Sequence, residues 1–179
     1  MRLTQRDGVT CGPSVAVVAS ALLNPAYRER LTGRAWFDAE QRRVHAAVNR
    51  IWPQRYGTTP MGVARAISEH GGLPYRWRIW WGRRDRLADV LAAVDGDMPV
   101  AMLVGRIVPR HWVLLLSRDR IRAPGVVACY EPSSGRVCSV ELGALRTATL
   151  VNVGFPRPYA FVLPPEQSVV SRTTSDLEI

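Results

Sequence analysis

Residues 12–24 read GPSVAVVASALLN, and the interpretation of the rest of the chain starts from this run. Apolar and small side chains fill nearly every position, which predicts a helix over Gly12–Leu23 that lies in the centre of a fold rather than on its surface. Pro13 suits the first helical turn, where its missing N–H costs nothing, and Asn24-Pro25 predicts the helix end. Cys11 therefore stands at the N-terminus of a buried central helix.

Outward from this helix, the apolar pattern changes from helical to strand-like along the chain. Further helices are predicted over Asp38–Trp52 with Asp38 as cap, from Thr59-Pro60 to Gly71-Gly72, and over Asp85–Val94. Short β-rich runs predict strands over Pro99–Val104, His111–Leu116, Val126–Tyr130, Arg136–Val140 and Pro158–Leu163, with Tyr75–Trp81 as a candidate edge strand. Helices first and strands afterwards predict an α+β fold, with the helices packed on an antiparallel sheet.

Length and composition indicate a globular chain of ordinary size. The 179 residues are 47% hydrophobic, which predicts a single domain over residues 1–164, followed by a disordered tail over residues 165–179. No apolar run reaches the ~18 residues that a membrane-spanning helix needs. The start, MRLTQRDGVT, has no apolar stretch typical of a secretory signal, so we expect a cytoplasmic location, although export without a classical signal stays open.

The charge pattern argues against nucleic acid as a partner. The formal net charge is +9, and all 24 basic residues are arginines that are scattered rather than clustered on one segment. A surface that follows a phosphate backbone needs clustered charge, so a basic nucleic-acid-binding module remains only a weak alternative, motivated by the net charge. Three cysteines without a CxxC pair indicate neither a disulfide framework nor a zinc site, so we expect a reducing compartment. The hydrolase chemistry considered below implies no metal or organic cofactor.

Cys11 is the candidate nucleophile. A thiol at a helix N-terminus faces unpaired backbone N–H groups and the positive end of the helix dipole, which favour the thiolate. Gly12 is expected to leave room for a substrate to approach. Cys129 and Cys138 lie in predicted strands and are interpreted as inert core residues.

A cysteine nucleophile needs a base, and His111 is the best placed of the three histidines. It opens the apolar strand HWVLLLS, whereas His45 is interpreted as part of a solvated helix face and His70 as a cation at a helix C-terminus. Glu131 ends the next strand. If the two strands pair antiparallel, the start of one lies near the end of the other, so we expect Glu131 to lie beside His111 and to orient its imidazole.

These residues occur in an order that resembles the papain-like cysteine peptidase superfamily, and within it the bacteriocin-leader (double-glycine) peptidases and their stand-alone relatives. Gln5 precedes Cys11-Gly12-Pro13 by six residues, His111 is followed by WV, and Glu131 is followed by PSSG. The similarity extends over roughly residues 5 to 163. The family usually has Asp or Asn where this chain has Glu131, and its leader peptidases often have Asp where this chain has Thr10.

The resemblance implies a papain-like fold and a cysteine-dependent amide hydrolase, a thiol peptidase that acts on a peptide or protein substrate. It implies Cys11 as the nucleophile, His111 as general base and acid, Glu131 as the third triad member and Gln5 as an oxyanion donor beside the Cys11 backbone N–H. Two alternatives stay open. The same groups could perform transglutaminase or deamidase chemistry, or the domain could bind peptides without catalysis.

Overall fold

The computed structural model describes residues 2–49, 57–117 and 125–165. Within them the helices are α1 (Cys11–Leu23), α2 (Pro25–Glu29), α3 (Arg34–Val48), α4 (Pro60–Gly71), α5 (Ala88–Asp95) and α6 (Leu142–Thr147), with a 3-10 turn at Gly82–Arg84. The strands are β1 (Arg76–Ile79), β2 (Val100–Gly105), β3 (Pro109–Leu115), β4 (Val126–Glu131), β5 (Arg136–Glu141) and β6 (Arg157–Leu163). They form one sheet in the order β1-β6-β2-β3-β4-β5, antiparallel throughout. The predicted α+β class is confirmed.

Helix α1 is the centre of the structure. All of its residues except Val18 and Leu22 are buried, as its apolar sequence predicts. It is covered by α2, α3 and α4 on the helical side and by β2 and β3 on the sheet side. Because these elements meet around α1, the N-terminus of the helix, where Cys11 lies, is held against the start of β3.

The predicted strands all occur, and their pairing explains their apolar character. Strand β2 lies between β3 and β6 in the middle of the sheet, and five of its six residues are buried. Strand β1 pairs only with β6 and is an edge strand, as predicted for Tyr75–Trp81. A central strand covered on both faces needs a continuous apolar run, whereas an edge strand tolerates the arginines that alternate in β1.

The helix after Asn24 was not predicted. Asn24-Pro25 does end α1, but the Asn24 side chain then accepts a hydrogen bond from the Tyr27 backbone N–H (3.3 Å) and caps α2. Pro25 occupies the first turn of this new helix, where a missing N–H is harmless. The same two residues therefore terminate one helix and begin the next.

The starts of two other helices differ from the predictions, because the acidic side chains at their predicted starts make other interactions. Helix α3 begins at Arg34 rather than Asp38, and Asp38 forms an ion pair with Arg34 (2.9 Å) within the helix instead of capping it. Helix α5 begins at Ala88 because the Asp85 carboxylate accepts the Leu87 N–H (3.0 Å) in the turn before it. The short helix α6 was not predicted at all. Its six residues are too few to show a helical period.

The tight connection between β2 and β3 sets the position of His111. The pairing shifts register between Val104 and Gly105, so that Val104 faces His111 and Gly105 faces Pro109. A Cβ atom on Gly105 would overlap the Val108 carbonyl group, so this turn requires glycine. The turn therefore starts β3 two residues before His111.

Two further predictions concern the ends of segments. The predicted helix end at Trp52 and, apart from Pro165, the predicted tail over residues 165–179 lie outside the described residues. Among the residues that the structure describes, no helix has the length and apolar character needed to cross a membrane.

The packing at the start of α1 generates a prediction about Gly12. A Cβ atom there would lie 2.9 Å from Thr58 Cβ and 3.2 Å from Trp112 Cδ1. We expect Gly12→Ala to lower the free energy of unfolding by ~1–3 kcal/mol, because overpacking forces neighbours apart. The control is Gly143→Ala, since Gly143 is also the second residue of a helix but has no atom within 4 Å of its Cβ position.

The exposed control variant should gain about 0.4–1 kcal/mol, since alanine restricts the unfolded chain. Urea unfolding of both variants measures the difference. Equal effects would contradict the close packing around Gly12.

Candidate active site

Cys11 opens into a cavity between the helical part and the sheet. The cavity has a volume of about 740 Å³, and its walls are largely apolar, with Val9, Leu103 and Trp112 among them. The thiol is only 3% exposed. The space beside the Gly12 Cα is not open to the cavity, because the side chains of Thr58 and Trp112 fill it. The expectation that Gly12 makes room for a substrate is therefore wrong, and Gly12 instead allows α1 to pack closely.

The electrostatics of Cys11 oppose the predicted thiolate. Burial raises the pKa of the thiol, backbone N–H groups of Trp112, Gly12 and Cys11 lower it, and the nearby Asp7 carboxylate raises it again. The net pKa lies above the ordinary value. The N–H groups at the helix start do favour the thiolate as expected, but the loss of hydration outweighs them. The resting group is therefore a neutral thiol.

Glu131 lies beside His111, as the antiparallel pairing predicted. Strands β3 and β4 pair antiparallel, and His111 Nε2 is 2.8 Å from Glu131 Oε1. His111 is 7% exposed, and burial lowers the pKa of its imidazole more than Glu131 raises it. The predicted neighbourhood of the two residues is confirmed. Glu131 favours the protonated imidazole, but the loss of hydration outweighs this effect, so His111 is neutral at rest.

The turn after β4 fixes the Glu131 carboxylate. The Ser133 N–H donates to Oε1 and the Ser134 N–H donates to Oε2, both at 2.8 Å. Burial alone would raise the pKa of Glu131, but the hydrogen bonds from Ser133 and Ser134 lower it to about 2. Glu131 is thus ionised at neutral pH and its position is set by the backbone.

An ionised carboxylate only accepts hydrogen bonds, and this determines the tautomer of His111. A neutral imidazole that donates to Glu131 must carry its proton on Nε2. Nδ1 then has a free lone pair and is the basic nitrogen. The carboxylate therefore prepares His111 as a proton acceptor without charging it.

Gln5 lies next to the turn that holds Glu131. Its backbone N–H donates to the Pro132 carbonyl (2.6 Å), and its side-chain oxygen accepts from the Ser133 hydroxyl (3.3 Å). The amide nitrogen Nε2 donates to the Asp7 carbonyl (2.7 Å). A side-chain amide carries two N–H groups, so one remains for another acceptor.

The four predicted site residues form two groups that are joined through the backbone of β3. Gln5, His111 and Glu131 surround the turn over residues 132–135, while Cys11 accepts a backbone hydrogen bond from Trp112, the residue that follows His111. A direct bond from the thiol to the imidazole is not among the hydrogen bonds that the described residues make. The thiol thus lies against the backbone that carries His111.

Gln41 is a positioning residue that sequence reasoning missed. It is fully buried in α3, where its side-chain oxygen accepts from the Arg6 N–H (3.0 Å) and the Ser14 hydroxyl (2.6 Å). It therefore ties the segment after Gln5 to the first turn of α1. Gln41 lies at helical spacing between buried Phe37 and Val44, and this spacing was the available indication.

The other histidines are placed differently from the predictions. His45 is buried (6% exposed) rather than on a solvated face. His70 stacks on Tyr27, and Arg43 contacts its Nε2 at 2.8 Å. Burial and the Arg43 charge lower the pKa of His70, so it is a neutral acceptor and not the expected cation. Within the described ranges, no group of His, Cys, Asp and Glu side chains could hold a metal ion.

Comparison with known proteins adds no family to this geometry. No protein-family model matches the chain, and no curated protein matches it.

The raised thiol pKa predicts how alkylation of Cys11 depends on pH. The rate with iodoacetamide follows the thiolate fraction, so for Cys11 we expect it to go on rising with pH beyond about 8.5, where the rate of an ordinary thiol begins to level off. Cys138 serves as the internal comparison, because a hydrogen bond from Cys129 lowers its pKa. Peptide mapping of one reaction series gives both profiles. A constant Cys11 rate from about pH 5 to 8 would instead indicate a resting thiolate–imidazolium pair.

The positive charge of Arg110 should make the cavity favour anionic over neutral reagents, and this preference can be measured. It carries the only charge among the described residues that line the cavity. We expect Arg110→Gln to slow the reaction of Cys11 with anionic iodoacetate by about two- to fivefold relative to neutral iodoacetamide, the scale of a solvated charge pair. Arg106→Gln is the matched control, since Arg106 lies in the turn just before β3 and outside the cavity lining. An unchanged ratio in Arg110→Gln would contradict the preference.

Proposed function

We propose that this protein is a cysteine-dependent amide hydrolase, a peptidase that uses Cys11, His111 and Glu131. The observation that carries the proposal is the 2.8 Å contact between His111 Nε2 and an ionised, backbone-fixed Glu131, on the strand whose backbone meets the Cys11 thiol. A nucleophile, a base and an orienting acid on three elements are what thiol hydrolysis requires.

The neutral resting state defines the first step. As Cys11 Sγ attacks a substrate carbonyl carbon, His111 Nδ1 takes the thiol proton, and the imidazolium that forms is stabilised by Glu131 across Nε2. His111 then gives the proton to the leaving amine, and an acyl thioester remains on Cys11. His111 next takes a proton from a water molecule that attacks the thioester carbonyl; the C–S bond breaks, the acid is released, and His111 returns the proton to the Cys11 sulfur.

The oxyanion of each tetrahedral intermediate needs donors that are already in place. The Cys11 backbone N–H lies at the start of α1, and the free N–H of the Gln5 amide is the second candidate donor. Loss of one such donor typically lowers turnover ~100- to 1,000-fold. Gln41 supports this arrangement, because it holds the Arg6 backbone and Ser14 on either side of Cys11.

A papain-like fold, with likeness to the bacteriocin-leader peptidases, is the finer form of the proposal. It rests on the order Gln5, Cys11-Gly12-Pro13, His111 and Glu131, and on a central helix that begins at the cysteine. The glutamate at the third position is compatible with the role of the family's shorter Asp or Asn, because its carboxylate reaches His111 at 2.8 Å while both oxygens accept turn N–H groups.

The same residues support acyl transfer to an amine, as in a transglutaminase, or deamidation of a side-chain amide. These reactions share the thioester step and differ only in the leaving and accepting groups. A domain that binds peptides without catalysis is the alternative from another class. It predicts peptide binding that is unaffected by loss of the thiol.

The test is incubation of the protein with a peptide and protein library, followed by mass spectrometry. We expect cleavage that is abolished in Cys11→Ala and retained in Cys138→Ser, a matched thiol control. Glu131→Gln should keep part of the activity, because its carbonyl oxygen still accepts the Nε2 proton. Glu131→Ala should lose at least about tenfold, since His111 then loses its orienting partner.

The outcomes separate the candidate functions. Equal cleavage by wild type and Cys11→Ala would overturn thiol catalysis. Binding of library peptides without any change of mass would favour the binding domain. A mass change that shows amine incorporation or conversion of an amide to an acid would favour the transferase or deamidase reaction.

A further inference from the structure

Cys129 and Cys138 stand directly opposite one another on neighbouring strands. They are register partners in the β4–β5 pair, so their side chains leave the sheet on the same face. Opposed residues of antiparallel strands have Cα atoms about 4.5–5.5 Å apart, which falls in the range that a disulfide bond needs. Both thiols are free in the structure. The interpretation of these residues as inert core cysteines overlooked this pairing.

The two thiols differ in access. Cys129 is fully buried, whereas Cys138 is half-buried and can be reached by a small oxidant. Cys138 Sγ lies 3.4 Å from the Cys129 carbonyl oxygen and 3.5 Å from the Asn152 carbonyl oxygen. An S–H group can donate to these acceptors, but a disulfide sulfur has no proton to donate.

The contact with Asn152 connects the thiol pair to His111. Asn152 and Gly154 both have positive φ (65° and 80°), a backbone conformation that residues other than glycine seldom adopt. Two residues beyond Asn152, a Cβ on Gly154 would lie 3.8 Å from His111 Cδ2, and the Phe155 ring centre lies 6.2 Å from that of His111. The segment 152–155 therefore touches Cys138 at one end and His111 at the other.

We propose that Cys129 and Cys138 form a reversible disulfide, and that its formation alters the packing of residues 152–155 against His111. Oxidation removes the Cys138 S–H that contacts the Asn152 carbonyl and draws the two sulfurs together within the β4–β5 pair. This modification site is separate from Cys11, and it does not depend on the protein being a hydrolase.

Hydrogen peroxide is a sufficient oxidant for the proposed reaction. The Cys138 thiolate attacks one peroxide oxygen, the O–O bond breaks, and a sulfenic acid and one water form after proton transfer. The Cys129 sulfur then attacks the Cys138 sulfur, the S–O bond breaks, and a second water leaves with the Cys129 proton. Two thiols lose two electrons and two protons in total, and peroxide is reduced to two waters. A dithiol such as dithiothreitol reverses the change by exchange.

The experiment treats the full chain with peroxide under dilute conditions and combines peptide mapping with NMR of ¹⁵N-labelled histidine. We expect a monomer that has lost two hydrogens, a linked Cys129–Cys138 peptide pair, and shifted His111 ring resonances that return with dithiothreitol. Cys138→Ala should shift the same resonances without oxidant, because it also removes the Asn152 contact. Cys138→Ser, whose hydroxyl still donates, should resemble the reduced protein and not respond to peroxide.

Two results would overturn the proposal. The first is oxidation of Cys138 to higher acids or to intermolecular dimers without the 129–138 link, which would mean that the pair cannot close. The second is a closed disulfide with unchanged His111 resonances, which would remove the connection through residues 152–155. Neither readout requires hydrolysis, so the failure of this proposal is distinguishable from the failure of the proposed function.

Discussion

The burial of α1 over nearly its whole surface, all but Val18 and Leu22, is the constraint on which the rest of the structure depends. A helix without a polar face has to be enclosed, and here the other helices and the sheet enclose it together. Close approach at its first turn requires Gly12, because Thr58 and Trp112 occupy the space of a side chain. The position that makes Cys11 a candidate nucleophile, at the start of a buried helix, is therefore a consequence of core packing.

The same burial decides the charge state of the candidate site. Enclosure raises the pKa of Cys11 and lowers that of His111, so both groups are neutral at rest. Glu131 escapes this effect because the backbone N–H groups of its own turn stabilise the carboxylate. The fixed negative charge of Glu131 lies beside a neutral imidazole. It stabilises a positive charge on His111 once the imidazole has accepted a proton. The attack step supplies that proton.

Local pattern predicted much of the fold, and tertiary contacts account for most of what it missed. Apolar runs and Gly or Pro boundaries predicted α1, α4 and every strand, and antiparallel pairing predicted that Glu131 lies beside His111. The start of α3 was wrong because Asp38 has an ion-pair partner in Arg34, which a capping pattern does not reveal. Burial of His45 and Gln41 depends on which elements cover α3. The pKa of Cys11 depends on enclosure, which the helix dipole argument leaves out.

The residues that resemble a catalytic motif also carry structural constraints, and the two roles reinforce each other. Trp112 packs beside Gly12 and donates its indole N–H to the Thr58 carbonyl (2.9 Å), so it holds the segment before α4 against α1. Its backbone N–H meets the Cys11 thiol, and its neighbour in the chain is His111. The dipeptide His111-Trp112 thus serves both the packing of α1 and the position of the base. A substitution that loosens the packing of Trp112 against α1 therefore also displaces His111. Variants that separate these roles must therefore alter the imidazole or the Glu131 turn and leave Trp112 in place.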